Sequence, residues 1–148
     1  MFEFLYKHKA KIDRPNDIGM TPLHAACSGG HAMIVKYICD HDRSTVNSRD
    51  HRGRTPAYFA AQNGEVDILT FLIIYMADFD IPNIVGKTPL AIACGNGHID
   101  AVKLLLSRKC SLSTADNMGM LPLHQACSQG RGDIVGYLCA KETPDGGK

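Results

Sequence analysis

An all-α array of stacked helix pairs is the fold class this sequence predicts, on three observations. The stretch Thr21-Pro22-Leu23-His24-Ala25-Ala26-Cys27 returns, with substitutions, at Thr55–Ala61, Thr88–Cys94 and Leu121–Cys127, in steps of 34, 33 and 33 residues. Each copy is followed by a glycine-bearing stop. Each stop is followed by a second apolar stretch at helical spacing. A period of this length held four times in register marks two-helix units, none able to bury its apolar face alone.

Residues 1–15 read as a partial N-terminal unit or cap. Phe2, Leu5 and Tyr6 fall at helical spacing, and Phe4-Leu5-Tyr6 align with Leu104-Leu105-Leu106. The chain therefore opens inside a repeat, either as a reduced cap or as a piece cut from a longer array. The first complete unit spans 16–49. Thr21 is placed to cap a helix and Pro22 to begin one, since proline at the first helical position loses no hydrogen bond. Leu23, Ala26 and Cys27 form a narrow apolar face, and Gly29-Gly30 stop the helix. His31 to Cys39 is the second helix, with a larger face of Ile34, Val35 and Ile38. Small residues in one helix and large ones in the other make a wedge, and stacked wedges curve with the small-residue helices on the concave side.

The link from Asp40 to Arg54 carries one extra residue, which accounts for the 34-residue step, and Asn47 to Gly53 suits a projecting hairpin. The second unit (50–82) repeats the plan with Thr55-Pro56, a stop at Asn63-Gly64, then Val66, Ile68, Leu69, Leu72 and Ile73. The third (83–115) has Thr88-Pro89, Asn96-Gly97, then Ile99, Val102, Leu104, Leu105 and Leu106. The fourth (116–140) has Pro122, Gln129-Gly130, then Ile134, Val135 and Leu138. There Leu121 replaces the capping threonine, and Gly132 and Gly136 each weaken the helix by ~1 kcal/mol relative to alanine. The fourth unit is expected to fray first, and the tail 141–148 (KETPDGGK), with none of the large apolar residues a core needs, to be disordered.

Composition narrows the function classes. In 148 residues, 45% hydrophobic, there is enough apolar content for one folded domain. A formal charge of +1 gives no general attraction to nucleic acid or to anionic membrane. No apolar run nears the ~18 residues of a membrane span, and the N-terminus has its apolar residues before its basic ones, the reverse of a secretory signal. An intracellular monomer is the expectation. Six cysteines raise the question of disulfides, but Cys27, Cys94 and Cys127 share one repeat position and Cys39 and Cys139 another. Thiols that alternate with alanine or leucine behave as small buried hydrophobes. Stacked helices ~8–10 Å apart also hold such positions too far apart to bridge.

The pattern D-x-x-G-x-T-P-L-H-x-A, a glycine stop, then x-x-V-x-x-L-L resembles the ankyrin repeat. The best instances are Asn16 to Ile38 and Asp50 to Leu72, with Asn83 to Leu106 next, and the likeness covers roughly residues 4–140. The resemblance implies a solenoid of antiparallel helix pairs linked by projecting β-hairpin loops. It further implies that the family histidine, kept at His24 and His124, bonds to the threonine and to the adjacent loop. Tyr58 and Ala91 replace it in units two and three, whose hairpins are then expected to be looser. The family G-A-D piece survives best as Met76-Ala77-Asp78.

His24 with Cys27, and His124 with Cys127, sit at i, i+3, a spacing able to ligate zinc. Repeat roles already account for all four, and two ligands per site are too few for a structural zinc. No phosphate-binding glycine loop, H-E-x-x-H or G-x-S-x-G motif occurs. The expectation is a protein without catalytic activity, metal or cofactor.

The resemblance places partner contacts at the hairpin tips and late in the first helices. At the tips these are Asp17, Ile18 and Met20; His51, Arg52 and Arg54; Ile84, Val85 and Lys87; Asn117, Met118 and Met120. On the first helices they are Ser28, Gln62, Asn63, Gly95, Asn96, Ser128 and Gln129. Any one of these taken singly reads as a solvated loop residue. Together, Ile18, Met20, Ile84, Val85, Met118 and Met120 are apolar where tips are normally polar, which points to a contact surface. Arg52 and Arg54, with Lys87 beside them, make a cationic station for an acidic group on a protein partner. The same resemblance makes Asn47 a candidate for asparaginyl hydroxylation, on one residue alone, because its equivalents are Asp13, Asp80 and Ser113.

Overall fold

The computed structural model describes residues 11–142. The N-terminal residues 1–10 and the tail residues 143–148 lie outside the described residues, so the predicted helix end at Phe2–Tyr6 and most of the predicted disordered tail do too. Among the described residues, eight helices follow in pairs: α1 (Pro22–Gly29) and α2 (Ala32–His41), α3 (Pro56–Asn63) and α4 (Val66–Ile74), α5 (Pro89–Asn96) and α6 (Ile99–Ser107), α7 (Pro122–Ser128) and α8 (Gly132–Glu142). The first helices stack in order, α1 on α3 on α5 on α7, and the second helices stack beside them. Among the described residues, no helix is long and apolar enough to cross a membrane.

The first helices start as the sequence dictates. The hydroxyl oxygens of Thr21, Thr55 and Thr88 accept from the amides of His24, Tyr58 and Ala91, at 3.4, 3.2 and 3.2 Å. Proline follows each threonine as the first helical residue. Leu121 has no oxygen to offer, and only the reverse contact survives, its own N–H donating to His124 Nδ1 at 2.9 Å. The three earlier helices end on a glycine in the left-handed conformation. At Gly64 (φ 72°) an added Cβ would also lie 2.5 Å from His98 Nδ1, so neither the backbone nor the space admits another residue. In the fourth unit α7 ends at Ser128, and its cap Gln129 is not left-handed.

The core follows the wedge pattern. Cys27, Ala60, Ala61, Ala93, Cys94 and Ala126 fill the first-helix layer, and Val35, Ile68, Leu69, Leu72, Val102, Leu105, Ile134 and Leu138 the second, all essentially buried. The thiols divide. Cys27, Cys39, Cys94 and Cys110 are buried and unbridged, and burial raises their pKa values, Cys39 and Cys110 to about 11 and Cys94 to about 12. Cys127 and Cys139 are exposed, contrary to the expectation of buried thiols throughout. Their equivalents in earlier units are covered by the next unit, and among the described residues no further unit packs on that face.

The links between units return as tight hairpins, but among the described residues they are built from turns rather than β-strands. The family glycine position carries Met76 in one link and Lys109 in the next, both left-handed at φ 64° and 62°.

Candidate partner-binding surface

Each hairpin tip is fixed by one short polar side chain. The Asn16 side-chain oxygen accepts from the amides of Ile18 and Met20 at 3.1 and 3.0 Å. Asp50 does the same for Arg52 and Arg54 at 3.0 and 2.8 Å, Asn83 for Val85 and Lys87 at 3.1 and 2.9 Å, and Asp116 for Met118 and Met120 at 2.9 Å each. A four-residue closure and a tight turn then repeat at every tip, as in Asp50 N–H to the Arg54 carbonyl and Gly53 N–H to the Asp50 carbonyl. The tips are also tied to one another. The amides of His51, Ile84 and Asn117 donate to the carbonyls of Ile18, Arg52 and Val85, each at 3.0 Å. Asp/Asn was visible in the repeat pattern, but its role as the tip lock emerges only from these bonds.

Two exposed rows result. Ile18, Arg52, Val85 and Met118 occupy one place in the locked tip, and Asp17, His51, Ile84 and Asn117 the place before it. Ile18, Ile84, Val85 and Met118 are 52%, 60%, 49% and 85% exposed, so none of them is buried against a neighbouring hairpin. Met20 and Met120 are only half-buried rather than free at the tip. Met20 packs against the core, and Met120 lies beside Gln125, whose amide is 3.8 Å from its sulfur.

Arg54 differs most from the predicted free cation. Its Nε donates to Asp50 Oδ2 at 2.8 Å and a terminal nitrogen reaches the same oxygen at 2.7 Å, while the guanidinium lies 4.6 Å from the Phe59 ring centre. Burial works against ionisation of Asp50, yet the Arg54 side chain and the two tip amides hold its carboxyl below the usual range. The exposed positive charge of the second tip's arginines therefore rests on Arg52, while the half-buried Lys87 of the third tip acts on Asp116 of the fourth.

Behind the tips, the first-helix ends stitch units together. Asn63 donates to the Ser28 carbonyl at 2.7 Å, Asn96 and His98 both bond the Gln62 carbonyl at 2.9 Å, and Arg131 Nε donates to the Gly95 carbonyl at 3.0 Å. Ser28, Asn63, Asn96, Ser128 and Gln129 are exposed and Gln62 half-buried, but Gly95 is buried against Gln125 and offers no contact surface. Between the second and third tips opens a cleft of about 380 Å³, lined by Arg52, Arg54, Tyr58, Gln62, Asn83, Ile84 and Val85. Five of its residues are ones the sequence singled out. Tyr58 and Asn83 are not.

The predicted loosening of units two and three meets substitutes. His24 Nδ1 accepts from Thr21 N–H at 3.0 Å, which leaves Nε2 to donate to the Arg54 carbonyl at 2.9 Å. In unit two the Tyr58 hydroxyl makes the equivalent reach, accepting from the Asn83 amide at 3.4 Å. Beyond unit three, Asn117 donates to the Ile84 carbonyl at 3.0 Å and Gln125 to Asp116 at 3.0 Å. Asn47 is exposed, and its side-chain oxygen accepts from Asp78 N–H of the next link at 2.8 Å.

Comparison with known proteins agrees with the stacked helix pairs. A family model described as ankyrin repeats (3 copies) matches residues 1–83 and 71–146. The chain is similar to the yeast "Probable 26S proteasome regulatory subunit p28", 30% identical over 80 residues, covering 53% of this chain and 35% of that protein. It is also similar to mouse "Protein phosphatase 1 regulatory subunit 27", 31% identical over 80 residues, covering 54% and 51%. A "Calmodulin-binding transcription activator homolog 1" of Caenorhabditis elegans is 40% identical over 57 residues, 38% of this chain and 5% of that protein. The matches thus span from a small part to about half of those relatives' lengths. Ankyrin repeats are protein–protein interaction modules, and such modules are typically non-catalytic. The chain belongs to the ankyrin-repeat family.

Proposed function

We propose that this chain binds a partner protein through its hairpin tips and the adjoining ends of the first helices, and does no chemistry itself. Ile18, Ile84, Val85 and Met118 serve as apolar anchors, and Arg52 receives an acidic group. The observation that carries this reading is the exposure of four large apolar side chains on tips whose backbones are rigidly locked. A fixed backbone presents these side chains at little cost in ordering on binding. The two relatives named as regulatory subunits are consistent with action on a partner. The protein acts inside the cell, a reading supported by its unbridged cysteines, and as a monomer.

The second reading is a module of a larger protein, docking or regulating a neighbouring domain through the same surface. What favours it is that the calmodulin-binding transcription activator homolog holds its matching stretch as only 5% of a much longer protein. Carrying Arg52→Glu together with Met118→Ser tests the surface in either case. Association with the partner recovered from the native cell should fall and lose its salt dependence, while unchanged association contradicts the assignment. Hydroxylation of Asn47 is tested by mass spectrometry of protein from that cell, as a gain of one oxygen on the peptide containing it.

A further inference from the structure

The equivalence of the tips fixes what shape of partner they suit. Ile18, Arg52, Val85 and Met118 each donate their amide to the lock of their own tip, so the four side chains recur at one place per unit. Stacked helices set that interval at ~8–10 Å. A polyproline II segment advances ~3.1 Å per residue with three residues per turn, which returns a side chain to the same side every ~9.3 Å. One turn of such a segment therefore matches one unit.

We infer that the partner contributes an extended segment, with an acidic side chain three residues from one apolar side chain and three and six residues from two others on its far side. The first apolar residue meets Ile18, the acid meets Arg52, and the remaining two meet Val85 and Met118. This inference rests on the hairpin-tip reading above.

Two further observations support an extended occupant over a helical one. An α-helix returns a side chain to one side every ~5.4 Å, out of step with tips ~8–10 Å apart, and a cleft of about 380 Å³ opens between the second and third tips. The residues between the acid and the next anchor of an extended segment are narrow enough to place one side chain there. That side chain would lie over Tyr58 and Gln62, with Ile84 and Val85 along one wall. The charge is also localised. Asp50 neutralises Arg54 in place, so of the two arginines at this tip Arg52 is the one left to set the register of the acid.

Peptides of roughly ten residues, the length that spans four tips, are displayed on phage, randomised throughout and selected on the full chain. Each enriched peptide is then titrated against the wild type, Arg52→Glu and Val85→Ser, with far-UV circular dichroism to show that the variants fold. The expected result is a period-three pattern, apolar–acid–apolar–apolar, in either chain direction. Affinity should drop roughly tenfold on Arg52→Glu, and exchanging the peptide's acid for lysine should restore binding to that variant. Enriched peptides that depend on Arg52 and Val85 but show another spacing overturn the extended register and leave the tip surface standing. Peptides indifferent to both substitutions overturn the register and the surface together. If no peptide is enriched, the extended-segment inference fails, and the tip surface is judged on Arg52→Glu with Met118→Ser.

Discussion

Arg54 holds Asp50 through Nε at 2.8 Å and a terminal nitrogen at 2.7 Å, and the Asp50 side chain is fully buried while it does so. The pair sits where three structures meet. Asp50 locks the second tip, the Arg54 carbonyl receives His24 from the first unit, and the guanidinium covers Phe59. An arginine that looked like a partner contact is thus a fastening between units. Removing it leaves a buried carboxylate without its counter-charge, and Arg54→Ala should cost about 3 kcal/mol by urea denaturation. Asp50→Asn keeps the acceptor for both tip amides, as Asn16 and Asn83 do, and should cost distinctly less. A cost for Arg54→Ala within that of an ordinary surface substitution would show that the pair is not a fastening.

His24 makes stability depend on pH. Burial lowers its pKa below 6.5, and its Nδ1 must stay unprotonated to accept from Thr21 N–H. The unfolded chain therefore binds a proton more readily than the folded one in the window just below pH 6.5. Stability from this group is complete above that pH and declines as pH falls toward the lowered folded value. Thermal unfolding followed from pH 7.5 to 5.5 should show a falling midpoint that is flatter in His24→Gln. Equal slopes in the two proteins would assign the effect elsewhere.

Met76 and Lys109 hold left-handed backbone at φ 64° and 62°, in links where the family pattern has glycine. A side chain there costs ~1–2 kcal/mol, part of which glycine returns through the greater freedom of its unfolded chain. Met76→Gly and Lys109→Gly should each raise stability by about 0.5–1 kcal/mol. Met76 is 81% exposed, so little packing is lost with its side chain. Destabilisation by either substitution, measured by chemical denaturation, would show that these side chains make contacts the fold depends on.

Much of the architecture was legible because the repeat writes each instruction several times. Threonine, proline and glycine at fixed offsets located the starts and stops of the helices, and small against large apolar residues located the two layers. The surface was legible only where side chains act alone. Ile18, Ile84, Val85 and Met118 were recognisable as unusual for a tip, and they are exposed. Arg54 was misread because its partner, four residues earlier, is also the tip lock, a double role that no single-residue pattern displays. Cys127 and Cys139 were misread for a different reason. Their repeat position implies burial, but burial there is supplied by a following unit, and none packs on them among the described residues. Tyr58 looked like the loss of a histidine, whereas its longer reach to Asn83 replaces the contact from a different atom.

On the proposed reading the tips, and not the helical faces away from them, meet the partner. Site-specific photo-cross-linking in the native cell tests it most directly, with the reactive group placed singly at Val85, Met118, Met33 and Ile74. Met33 and Ile74 serve as controls because they are 68% and 62% exposed on the second helices. Val85 and Met118 should give a shared adduct that is absent from the two controls and is lost on adding Arg52→Glu. Adducts from Met33 or Ile74 alone, or a tip adduct unmoved by Arg52→Glu, would contradict it.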